Sequence, residues 1–131
     1  MTIDEMHPPE TMPTIRVIAM PTDTNPAGDI FGGWLMSQMD LAAGTVAARA
    51  SKGRASTVSV EQIRFHRPVL VGDEVSLYAD LVKVGRTSMK IQVRAWSRAR
   101  HQEESHQVTA AVFTFVALDE NARPRPVYRD S

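Results

Sequence analysis

The chain contains no cysteine, which removes disulfides, thiolate nucleophiles and cysteine-ligated metal centres together. It has no excess of charge: 15 Lys and Arg stand against 15 Asp and Glu, so no global field draws it to nucleic acid or to an anionic membrane. No segment stays apolar for the roughly 20 residues a membrane helix needs, because Gln38 and Asp40 interrupt the best candidate. The opening stretch, MTIDEMHPPETMP, lacks the basic start and apolar run of a secretory signal. His7, His66, His101 and His106 show no metal-ligand spacing, and no metal site is expected. These absences together lead to the expectation of a soluble, cytoplasmic protein without nucleic-acid or membrane partners, and 131 residues suit one compact domain.

What is present reads as one helix among strands. TIRVIAM (14 to 20) is a short β-rich run ended by Pro21, and PTDTNPAGD (21 to 29) is a loop by composition. From Gly33 to Arg49 nearly every position is apolar or small, as in a buried helix, and Gly53 is the expected stop. Four strands follow. In 56 to 69 the alternation slips near Glu61 and Gln62, which predicts a bulge there. The runs 74 to 84 and 88 to 100 alternate, with turns at Gly72-Asp73 and Gly85-Arg86. The run 107 to 118 is apolar on both faces, as in a sheet's interior. The order predicts an α+β fold, a five-stranded antiparallel sheet around one long helix. Two-sided apolar strands point to an edge paired with a second subunit. Residues 1 to 12 are expected to form a flexible arm and 121 to 131 a mobile tail.

One residue breaks the helix pattern. Asp40 sits among Trp34, Leu35, Met36, Met39, Leu41 and Ala43, and a carboxylate in such surroundings needs a partner or a task. Its stripe at i+3, i+4 and i+7 is Ala43, Gly44 and Ala47, which leaves room either for a ligand or for close helix packing. Gly32 and Gly33 fall where the helix begins, where free backbone N–H groups and the dipole can stabilise an oxyanion; the plain alternative is a pair that eases a tight turn. GDIFGG lacks the spacing of a phosphate-cradling loop. Asp40 lies eight residues beyond Gly32, roughly 12 Å along a helix. For both to serve one reaction, a second copy of the helix must run alongside, as a two-fold dimer provides.

D-T-N-P-A-G-D-I-F-G-G-W-L-M-S-Q-M-D (23 to 40), followed by V-G-D-E-V, V-G-R-T-S and A-V-F-T-F-V-A, closely resembles the hotdog-fold acyl-CoA thioesterases of the bacterial YciA type. The likeness runs from about residue 13 to 120, the span of a single domain. It implies a central helix wrapped by a curled sheet, active sites at a homodimer interface, and trimers of such dimers. It places the catalytic carboxylate at Asp40, a polarising amide at Asn25 and the oxyanion-binding N–H at Gly32 or Gly33, with Asn25 and Gly32 from one subunit and Asp40 from the other. Arg86, Thr87 and Ser88, with Lys83 and Lys90 nearby, match the motif that contributes to coenzyme A binding. No cofactor is implied, since coenzyme A belongs to substrate and product. Several relatives carry a histidine before the glycine pair; here Phe31 stands there, which disfavours His-mediated acid catalysis and a hydratase reading. The expected function is hydrolysis of short- to medium-chain acyl-CoA, with Asp40 as base or nucleophile; the alternative is a non-catalytic acyl-CoA-binding module. Phe31, Trp34, Met36 and Met39 are candidates for the acyl pocket, and flexible methionines there tolerate several substrates.

Overall fold

A computed structural model describes residues 7 to 128. The elements are β1 (Ile15–Ile18), a 3₁₀ turn (Pro21–Asp23), α1 (Gly32–Ser51), β2 (Ala55–Glu61), β3 (Glu74–Val84), β4 (Ser88–Arg98) and β5 (Ser105–Ala117). The five strands form one sheet in the order β1-β3-β4-β5-β2, antiparallel at every pairing. The sheet curls around α1.

Alternation sets which side of each strand meets the helix. On β4, Met89, Ile91, Val93 and Ala95 are fully buried, and Val75 and Leu77 of β3 join them. From α1 come Leu35, Met39, Ala42, Ala43 and Ala47. Small residues on this side let the helix approach closely: a Cβ placed on Gly44 would lie 3.5 Å from the Phe115 ring. The stripe Ala43, Gly44 and Ala47 thus packs toward the sheet, with Ala43 and Ala47 fully buried. The long apolar β5 lies between β4 and β2, as its two-sided character predicts.

Several boundaries differ from the sequence reading. The bulge falls at Val58, between the Thr57 and Ser59 register positions, not at Glu61 and Gln62. β2 ends at Glu61 because Gln62 adopts a φ of +58°, which turns the chain out of the ladder. Residues 62 to 70 are irregular, tied down by His66 N–H to Val108 O at 2.9 Å and by the Thr109 hydroxyl to Arg64 O. At the helix C-terminus, Lys52 rather than Gly53 takes the left-handed conformation, with its N–H on Ala48 O. The helix is not wrapped on all sides: Leu41 is 59% exposed, and Ser37, Thr45 and Ala48 are exposed with it. Nor is residues 121 to 128 a loose tail, because Arg125 and Val127 are buried. Of the expected N-terminal arm, residues 1 to 6 lie outside the described residues.

Two strands are edges. β1 is short, with four residues; β2 has seven, mostly exposed, and among the described residues its far side carries no strand. An open, extended edge of this kind is a template for pairing with another chain.

Candidate active site

The loop before α1 is built by its own polar groups. Asp23 accepts the Met20 N–H at 2.9 Å, Thr24 bridges Ile30, and the Asn25 Oδ1 accepts from Ala27 N–H at 2.9 Å and Asp29 N–H at 3.1 Å. Gly28 closes this turn at a φ of +88°, a conformation that glycine adopts without steric cost. Phe31 N–H then donates to Asp23 O at 2.9 Å, which sets where the helix starts. Asn25 is thus the turn residue that its position before proline suggests. With its oxygen engaged, its amide N–H₂ has no partner among the described residues.

At the helix start the first N–H groups have no intrahelical acceptor. Gly32 and Gly33 are both exposed there. A Cβ on Gly32 would stand 3.7 Å from the Phe65 ring, so an aromatic from the irregular 62–70 segment walls one side of these donors. Phe65, half-exposed at 47%, was not singled out from sequence, because nothing in its spacing links it to the helix start.

Asp40 is partly buried on the flank of α1, between the core-facing Ala43 and Ala47 and the exposed Ser37 and Leu41. Its Oδ1 accepts the Thr57 hydroxyl at 2.5 Å. Thr57 belongs to β2, the open edge strand, so the carboxylate is oriented from the element best placed to meet another chain. Sequence reasoning missed Thr57; a partner 17 residues away across a helix-to-strand connection leaves no periodic signal. Two turns of helix separate Asp40 from Gly32 in the same chain, about 12 Å, and nothing within one chain brings them together.

The acyl-pocket candidates divide. Met39 is fully buried against the sheet and belongs to the core, while Trp34 and Met36 are partly buried and Phe31 is exposed. The cations divide as well. The β3–β4 turn is closed by Gly85 N–H to Ser88 O at 2.8 Å and presents Arg86 outward. Lys83 faces Lys90 across the ladder, and Lys90 lies 3.5 Å from Glu61. Arg94 pairs with Asp80 at 3.1 Å and Arg98 with Glu74 at 3.4 Å, so both are already neutralised. Arg64, Arg67 and Arg86 are exposed with no carboxylate partner among the described residues. Among the described residues no group of three or more His, Cys, Asp or Glu is placed to hold a metal ion, and no helix is long and apolar enough to cross a membrane.

A single long helix in a curled five-stranded antiparallel sheet is the architecture of the hotdog thioesterases, and comparison agrees. The thioesterase superfamily profile matches residues 27–104. The chain belongs to this family. An uncharacterised acyl-CoA thioester hydrolase of Zymomonas mobilis is 59% identical over 116 residues, 88% of this chain and 78% of that protein. The acyl-CoA thioester hydrolase YciA of Salmonella typhimurium is 47% identical over 116 residues, 86% of this chain and 87% of its own length. Among solved structures, a hexameric broad-specificity acyl-coenzyme A thioesterase superposes with a TM-score of 0.87 at 46% identity, covering 95% of this chain and 86% of that one.

Proposed function

We propose that the protein hydrolyses the thioester of short- to medium-chain acyl-CoA to free coenzyme A and a carboxylic acid, at a site shared by two copies of the chain. One observation carries this reading: a single carboxylate on an otherwise apolar helix, oriented by Thr57 at 2.5 Å, stands too far from its own helix start to serve it. Pairing of two β2 edges sets a second helix beside the first, so that Asp40 of one copy faces Gly32, Gly33 and Asn25 of the other. The YciA relative supports the activity and the hexameric thioesterase structure supports an assembly of several copies; we take the dimer as the minimal active unit and a trimer of dimers as the assembly.

In that arrangement the thioester carbonyl oxygen points at the Gly32 or Gly33 N–H and the Asn25 amide, donors fixed before the reaction begins. Asp40 takes a proton from water as the oxygen of that water bonds to the carbonyl carbon. The tetrahedral oxyanion then collapses, the C–S bond breaks, and the coenzyme A thiolate receives the proton. The other route has Asp40 itself attack, giving a mixed anhydride that water opens. A thiolate is a good leaving group, so Phe31 in place of a histidine costs the reaction little. No cofactor is needed. Arg86, with Thr87, Ser88, Lys83 and Lys90 around the β3–β4 turn, contacts the phosphates of coenzyme A; of the three cations only Lys90 has a competing carboxylate, Glu61, among the described residues.

The test is thiol release from a panel of acyl-CoA substrates of increasing chain length. Turnover that peaks at short to medium chains is expected. Tight acyl-CoA binding without thiol release across the panel would instead make the protein a binding module. Co-assembly of inactive Asp40→Ala and Asn25→Ala chains is expected to restore part of the activity, since one hybrid site then holds both native residues; no recovery would exclude a shared site.

A further inference from the structure

The segment after β5 is tied to the β3–β4 turn. The chain reverses at Asp119, whose Oδ1 accepts from Asn121 N–H at 2.8 Å and Arg123 N–H at 3.0 Å. It then returns along β5, with Arg125 N–H on Ala117 O at 2.9 Å and Val127 N–H on Arg86 O at 2.9 Å. Ala117 N–H donates to Thr87 O, also at 2.9 Å. Both central carbonyls of the Gly85–Ser88 turn are therefore held from outside it, one by the end of β5 and one by the returning segment.

Arg125 anchors this arrangement. It is 9% exposed, and its guanidinium donates to Leu118 O at 3.1 Å, Pro126 O at 2.9 Å, Val127 O at 3.3 Å and Ser51 O at 2.8 Å. Every acceptor is a carbonyl; the adjacent carboxylate, Asp119, is occupied by its own turn. A buried cation needs its donors met. Ser51 is the last residue of α1, where carbonyls lack intrahelical partners and the negative end of the helix dipole favours a cation. A residue needed only to fill this space would be apolar. A planar fork of five donors is what joins three separate pieces, the helix end, the β5 end and the returning segment.

We infer that residues 119 to 127 brace the Gly85–Ser88 turn in the shape that receives the phosphates of coenzyme A, with Arg125 as a positioning residue. This rests on the reading of Arg86 as a phosphate contact. The turn has one internal backbone bond, Gly85 N–H to Ser88 O. Holding the Arg86 and Thr87 carbonyls sets the peptide planes from which the Arg86 side chain departs, and less ordering is then left for binding.

The experiment compares acyl-CoA with the matching acyl-pantetheine, which keeps the thioester but lacks the nucleotide phosphates. Arg125→Met is expected to raise KM for acyl-CoA about fivefold to tenfold, leave KM for acyl-pantetheine unchanged and hold kcat within about twofold. Hydrogen exchange of the 84–89 amides is expected to speed up, and Arg125→Lys to restore part of the effect. Val127→Pro removes the N–H on Arg86 O, at some cost to the buried packing of Val127, and gives the same split should Arg125→Met fail to fold. Arg86→Ala separates the two failures. If it leaves both KM values alone, the turn does not bind phosphate and the underlying reading falls. If it raises KM for acyl-CoA while Arg125→Met and Val127→Pro do not, or if those two shift both substrates equally, the brace is overturned.

Discussion

The two sides of α1 obey different rules. Toward the sheet, Leu35, Met39, Ala42, Ala43 and Ala47 are 2% exposed or less and belong to the hydrophobic core cluster, as a helix in a core does. On the other side Leu41 is 59% exposed and the hydroxyls of Ser37 and Thr45 bond back to the helix carbonyls of Trp34 and Leu41, with Asp40 at the margin between the two, bonded to Thr57 of the edge strand β2. The inner side stabilises one chain. The outer side carries exposed Leu41 between two hydroxyls and is bordered by Asp40, and the proposed function covers it with a second copy. The contrast teaches that an all-round apolar helix need not be surrounded by its own domain.

The contrast can be broken by substitution. The largest effect is expected from Asp40→Ala or Asp40→Asn, which should lower kcat by at least about a thousandfold, roughly 4 kcal/mol of barrier, while the circular dichroism spectrum and melting temperature stay near wild type. Normal turnover in both variants would remove Asp40 from the chemistry. Next comes Met39→Ala, one residue earlier and turned about 100° toward the sheet. It should cost about 2–5 kcal/mol of stability through cavity formation, measured by urea denaturation, with kcat nearly intact in the folded fraction; a small stability loss paired with a large catalytic one would reverse the assignment of the two sides. Thr57→Val keeps shape and removes the donor to Asp40. A fall in kcat of about tenfold, near 1.4 kcal/mol, is expected with KM unchanged, and Thr57→Ser should recover it; equal rates in all three would make the bond incidental. Leu41→Ala is the mildest. It should weaken subunit association by no more than about 1 kcal/mol, seen as concentration-dependent dissociation in sedimentation, and an unaltered assembly would place the helix's outer side away from the interface.

Much of the fold was legible because its signals are local. Alternation in 88 to 100 identified the buried face of β4, and the doubly apolar run 107 to 118 identified β5 as interior. Asp40 was legible because a carboxylate violates an otherwise consistent pattern. What escaped is non-local. The ending of β2 depends on a positive φ at Gln62, a position where sequence carries no glycine to announce it. Thr57 reaches Asp40 only because β2 returns beside α1. Arg125 lies in a Pro- and Arg-containing stretch that reads as a solvated tail, and its burial follows from carbonyls contributed by α1 and β5.

By itself, the sequence determined the order of elements, the apolar character of the helix, the lone carboxylate within it and the glycine pair at its start, since periodicity and composition act over a few neighbouring residues. Long-range packing alone set which side of the helix the sheet covers, which hydroxyl orients the carboxylate, and how a tail with a buried arginine reaches the β3–β4 turn. Those outcomes depend on contacts between segments far apart in the chain, whose geometry exists only once the sheet has closed around the helix.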